Sequence, residues 1–116
     1  MSEGPNGTAA CNRFEPKNRR RVLLVFPRYA KSFGTFDHAF PLLGVRACMP
    51  PQGILLIAAL LPRQWEIVFV DENIRRVRPE EFEWANFVFL SGMHVQRKQI
   101  NELNERALQF RTPVCV

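Results

Sequence analysis

The sequence predicts an α/β fold, a Rossmann-like (flavodoxin-like) three-layer α/β/α arrangement around a parallel sheet with about four strands present. Three observations lead there: short apolar runs rich in Val, Ile and Phe recur along the chain, helix-length segments separate them, and the links are too long for hairpins. The run around which the others are arranged is Arg21-Val22-Leu23-Leu24-Val25-Phe26-Pro27. Its five consecutive apolar residues follow a basic cluster and stop at a proline, which suits a strand buried on both faces. A first strand of this kind is expected near the centre of its sheet. Ligands are then expected at the carboxyl ends of the strands, after Phe26, Val70 and Leu90.

The other elements follow in order. Arg28 to Pro50 is a long irregular segment carrying Tyr29, Phe33, Phe36, Asp37, His38 and Phe40. Connections of that length inside a domain are often functional. Pro50-Pro51-Gln52-Gly53 opens a helix, and Ile54 to Leu61 is apolar almost all round, which predicts burial between the sheet and another layer. Trp65 to Asp71 reads as the second strand. Pro79-Glu80-Glu81 starts a short helix through Ala85, with proline and acids in its first turn and Phe82 as its core contact. Asn86 to Leu90 is the third strand. Val95 to Phe110 is an amphipathic helix with Ile100, Leu103, Ala107 and Phe110 on one face, and Lys98, Glu102 and Arg106 pairing along another. Thr112 to Val116 begins a fourth strand. A domain of this type normally continues with at least one more strand and helix, so its C-terminal part is expected to be missing and one sheet edge left open.

The chain has 116 residues and a formal net charge of +5, enough for one domain of globular composition. Residues 1–20 lack apolar periodicity and read as a disordered basic arm, a solubilising tail; residues 21–116 form the domain. No aromatic or Gly-Arg interleaving accompanies the charge, so nucleic acid is not an expected partner. Cys11, Cys48 and Cys115 lie far apart without paired spacing, which argues against a disulfide framework and fits a reducing compartment. The longest apolar run, Gly53 to Leu61, is too short to span a bilayer, so a cytoplasmic location is expected.

The strand ends narrow the chemistry. Phe26-Pro27-Arg28-Tyr29 stands where a dinucleotide fold carries its glycine fingerprint, and no P-loop is present. Asp71 ends the second strand, where an acid can hold a ribose hydroxyl, so nucleotide binding stays open as one reading. Neither a nucleophile pair from Cys48 with a histidine nor a metal site is supported by spacing. Ser91-Gly92-Met93, after the third strand, is a small turn that lets a ligand approach the backbone, with helix amides beyond it. A plain strand-to-helix turn capped by Ser91 fits the same spacing.

Met49-Pro50-Pro51-Gln52-Gly53-Ile54, Val70-Asp71-Glu72-Asn73 and Phe89-Leu90-Ser91-Gly92-Met93 with Gln96-Arg97 together resemble the N-terminal cobalamin-binding-type domain of radical SAM enzymes. The resemblance runs from about Arg21 to Val116. It implies a corrinoid at the carboxyl edge of the sheet and, next to it, a radical SAM barrel carrying a [4Fe-4S] cluster and S-adenosylmethionine, with a methyltransferase as the parent enzyme. It further implies that Ser91, Gly92 and Met93 lie along the nucleotide tail of the cobalamin, and that Tyr29 and the loop from Phe33 to Gly44 cover the corrinoid face. The Asp-x-His-x-x-Gly signature is missing, so no histidine ligand to cobalt is expected. The Cys-x-x-x-Cys-x-x-Cys motif is missing too, so radical chemistry is not expected of this chain alone. The alternative expectation is a ligand-free interaction module.

Overall fold

The structure, a computed structural model, describes residues 19–30, 39–46 and 50–116. The expectations for the basic arm (apart from Arg19 and Arg20), for Phe33, Phe36, Asp37 and His38, and for Cys11 and Cys48 lie outside the described residues.

Among the described residues, four strands carry the frame. These are β1 (Arg21–Phe26), β2 (Glu66–Asp71), β3 (Phe87–Leu90) and β4 (Val114–Cys115). They form one sheet in the order β2-β1-β3-β4, and every pairing is parallel. The Rossmann-like reading therefore holds, with β1 between β2 and β3.

Register sorts the core. Val22 lies opposite both Ile67 and Phe87, and Leu24 opposite both Phe69 and Phe89. Alternation along the strands puts these residues on one sheet face and Leu23, Val25, Val70, Val88 and Leu90 on the other. The second face is covered by two helices, α3 (Pro79–Trp84) through Phe82 and α4 (Arg97–Gln109) through Leu103 and Ala107, with Val77 beside them. The Phe82 ring stacks on Phe110, 6.0 Å between centroids. Among the described residues, the first face receives one helix, α2 (Gln52–Leu60), through Ile54, Ile57 and Ala58. Each fully buried aliphatic side chain here contributes about 1.5–3 kcal/mol relative to exposure.

Three expectations are corrected. The helix α2 is not buried on both sides, because only the face bearing Ile54 reaches the sheet. Leu56 and Leu60 on the outer face are 62% and 77% exposed, and no described layer covers them. Ile67 and Phe69 remain partly exposed as well, since β2 is an edge strand. Secondly, the long segment after β1 contains a short helix, α1 (Phe40–Leu43), closed by Gly44 at φ +65°, a left-handed conformation that suits glycine. Thirdly, the charges on α4 do not ladder along the helix. Arg106 donates to Glu72 at 3.4 Å and to the Val77 carbonyl at 2.6 Å, while Glu102 pairs with Arg76 at 3.0 Å. Tertiary partners win because Glu72 is buried and needs a cation.

No described helix is long and apolar enough to cross a membrane.

Candidate functional site

The chain passes from β1 outward to β2, then crosses back over β1 to β3. That reversal makes the gap between the carboxyl ends of β1 and β3 the switch point of the sheet, where open α/β folds take ligands. A cleft of about 350 Å³ lies there. Its walls are Phe26 and Tyr29 from the end of β1, Pro51, Gly53 and Ile54 from the start of α2, and Ser91, Gly92 and Met93 from the end of β3. Four of the five residues expected at the site, Tyr29, Ser91, Gly92 and Met93, are therefore brought together.

The walls are apolar with few polar groups, the usual make-up of a small-molecule site. Tyr29 sets its ring edge-on to Phe26, 5.5 Å between centroids. The start of α2 comes close to the β3 turn, since a methyl built on Gly53 would stand 3.7 Å from Ser91 Oγ. That separation is an ordinary contact. Gly92 is different: a methyl there would meet Gln96 Oε1 at 2.8 Å, Pro27 Cγ at 3.2 Å and Ile100 Cδ1 at 3.3 Å. No side chain fits at Gly92 without moving its neighbours, because the turn packs closely against Gln96, Pro27 and Ile100 there.

Two residues that sequence reasoning did not assign to the site hold these loops in place. Gln96, 1% exposed, donates from Nε2 to the Pro27 carbonyl at 2.6 Å and accepts from the Met93 N–H at 2.7 Å. One carboxamide thus ties the β1 loop to the β3 loop. It also does what Ser91 was offered for: Met93, not Ser91, stands at the N-cap of the turn His94–Gln96, and Gln96 satisfies its amide. The second is Asn73, whose Oδ1 accepts from the Tyr29 N–H at 3.0 Å. Asp71 Oδ1 in turn accepts from both the backbone N–H and the side-chain amide of Asn73, each at 2.8 Å. Asp71 does not line the cleft. It is buried beside it and braces Asn73, which sets the path of the β1 loop. The signal for Gln96 was a Gln three residues after Met93, a reciprocal capping pattern that is easily read only with Ser or Thr at the cap.

Arg75 donates twice to Glu81, at 3.0 and 2.6 Å, and that pairing, with the Arg78 N–H, holds the Glu81 carboxyl below its usual range against a partial opposing effect of burial. Glu81 lies in the first turn of α3 and Arg75 in the connection before it, both away from the cleft. His94 does not line the cleft. Cys115 is an exposed free thiol, and among the described residues no three His, Cys, Asp or Glu side chains gather as a metal site.

Fold and cleft define the class: a Rossmann-like α/β unit with a cleft at the switch point of its sheet. Comparison with known proteins narrows it. Over 98 residues, 84% of this chain, the sequence is 57% identical to the hopanoid C-2 methylase of Rhodopseudomonas palustris. Over 82 residues, 71% of the chain, it is 38% identical to an uncharacterized methyltransferase of Synechocystis sp.. The aligned stretch spans 19% of the first relative and 15% of the second. No family model matches, and no solved structure matches. The chain thus corresponds to a piece of proteins named as methylating enzymes.

Proposed function

We propose that this chain is the cobalamin-binding-type portion of a B12-dependent radical SAM methyltransferase, holding a corrinoid at the carboxyl edge of its sheet. The observation that carries the reading is the cleft at the switch point, where Tyr29, Ser91, Gly92 and Met93 converge. The similarity to two methylating enzymes supports it.

The residues fit the tail of a corrinoid better than its ring. A cleft of about 350 Å³ with largely apolar walls, one Ser91 hydroxyl and the small Gly92 in its lining accommodates a flat base and its sugar. The corrin ring would lie above the strand ends, against Tyr29. When bound, a methylcorrinoid supplies a methyl group for transfer to carbon. The chain's own residues bind and orient it: Gln96 and Asn73 fix the two loops, Phe26 and Ile54 exclude water, and Ser91 offers a hydrogen bond. The [4Fe-4S] cluster and S-adenosylmethionine belong, in this reading, to a radical SAM barrel in cis or in trans, and the methyl acceptor is a hopanoid-type lipid, as the name of the first relative suggests. A cytoplasmic setting fits the exposed thiol of Cys115.

The test is a titration of the purified chain with hydroxocobalamin, followed by desalting and visible absorbance. Retention near one corrinoid per chain, weakened by Ser91→Leu, is the expected result. A folded chain that retains none would overturn corrinoid binding by these residues. A second reading, an interaction module without ligand, draws on the exposed Leu55, Leu56 and Leu60 of α2. It predicts no corrinoid retention together with association that Leu56→Glu abolishes.

A further inference from the structure

The loop after β1 has a second side. Between it and the first turns of α4 lies another cleft, of about 420 Å³, bordered by Arg28, Tyr29, Val95, Lys98, Gln99 and Glu102. It shares only Tyr29 with the cleft at the switch point.

Three observations at this cleft agree. The first is an orphaned donor. Gln99 is 7% exposed and uses Oε1 to accept from Arg28 at 3.1 Å, yet its Nε2 has no acceptor among the described residues. Buried donors are normally matched, so this amide is free to meet an acceptor at the cleft. The second is a charge reversal. The first turn of α4 holds Arg97 and Lys98 and no acid, although the amino end of a 13-residue helix favours negative charge. Local unfavourable choices of this kind gather where function demands them. The third is the balance of charge: Glu102, the acid on the rim, is engaged by Arg76, which leaves Arg28 and Lys98 facing the cleft as donors.

We propose that this second cleft binds an oxyanion, a phosphate or carboxylate group of a small molecule, through Arg28 and Lys98 with the Gln99 amide as a further donor. The amino end of α4 adds its dipole. The oxyanion can come either from a separate molecule or, if the proposed corrinoid binds, from its phosphodiester.

The experiment is a titration of the full chain with inorganic pyrophosphate, followed by calorimetry and by the backbone amide resonances of Arg28, Lys98 and Gln99. Saturable binding is expected, with those resonances moving together. Arg28→Ala and Lys98→Ala should each weaken it about tenfold, a loss of ~1.4 kcal/mol. Arg63→Ala, a cation beyond α2, should leave it unchanged. Gln99→Leu should weaken binding while the unfolding midpoint holds or rises, because the substitution removes the orphaned donor. Displacement of pyrophosphate by hydroxocobalamin would identify the corrinoid phosphodiester as the source, and binding of both at once would identify a separate molecule. Absence of saturable binding up to about 10 mM, or an equal loss in Arg63→Ala, would overturn the proposal.

Discussion

Gln96 and Pro27 lie far apart in the chain yet meet through a 2.6 Å hydrogen bond from the Gln96 carboxamide to the Pro27 carbonyl. Since the same carboxamide accepts from Met93 at 2.7 Å, one buried side chain ties the loop after β1 to the loop after β3. Gln96→Leu keeps the volume and removes both bonds. It should cost about 2 kcal/mol in urea unfolding, since Pro27 and Met93 each lose a buried partner, and corrinoid retention should fall with it. Gln96→Glu should be almost as damaging at neutral pH and should recover in part when the carboxyl is protonated, because only the protonated group can donate to Pro27. Equal stability of wild type and Gln96→Leu would remove the clamp from this account.

The two glycines of the cleft should respond in opposite ways to the same change. At Gly92 an added methyl meets Gln96 at 2.8 Å, so Gly92→Ala should destabilise by about 1–3 kcal/mol and lower ligand retention. At Gly53 the nearest atom is 3.7 Å away, and Gly53→Ala should be neutral or stabilising by up to about 1 kcal/mol, since the position is helical. Thermal melts of both variants decide it.

Glu81 predicts a pH dependence. Its carboxyl is held below the usual 4.5 by Arg75 first and the Arg78 amide second. A carboxyl whose folded-state pKa is depressed adds stability above the unfolded value and loses it as pH falls through the folded one. Stability should therefore drop on acidification below about pH 4.5, and Glu81→Gln should flatten that part of the curve. The effect is modest because the pair is partly solvated. Identical acid limbs for wild type and Glu81→Gln would show that the pair contributes nothing.

Arg106 and Glu72 form a partly buried pair whose halves are not equally dispensable. The Glu72 side chain is fully buried, with Arg106 as its cation. Arg106→Met leaves that charge stranded and should cost about 3 kcal/mol. Adding Glu72→Gln should recover part of the loss. A double variant no better than the single one would mean that Arg106 acts through Val77 and the Phe82 ring instead.

The two faces of α2 give a contrast. Ile54 is fully buried against β1, and Ile54→Ala should cost about 2–4 kcal/mol. Leu56 is 62% exposed, and Leu56→Gln should change unfolding free energy by less than about 0.5 kcal/mol. A large loss in Leu56→Gln would mean that something covers this face.

The strands were readable because burial of a parallel sheet on both faces demands continuous apolar runs, and Val22 to Phe26 is such a run. The capping proline and acids of α3 and the apolar stripe of α4 were equally plain, and Phe82, Leu103 and Ala107 are buried as their spacing implies. Of the candidate site, the Ser91-Gly92-Met93 turn and Tyr29 were legible from their places after strands. Asp71 was legible as a polar residue at a strand end, but whether it faced a ligand or a neighbour was not.

What the sequence determined by itself is the set of elements and their order, because periodicity, caps and breakers act over a few residues. What only the tertiary structure decided is which loops meet, that Asp71 grips Asn73, that Gln96 spans from Met93 to Pro27, and that α2 leaves all three of its leucines exposed. Those outcomes depend on strand order and on contacts between distant residues. Local pattern carries no record of them, since a carboxamide or a leucine at a given helical position looks the same whichever neighbour the fold brings to it.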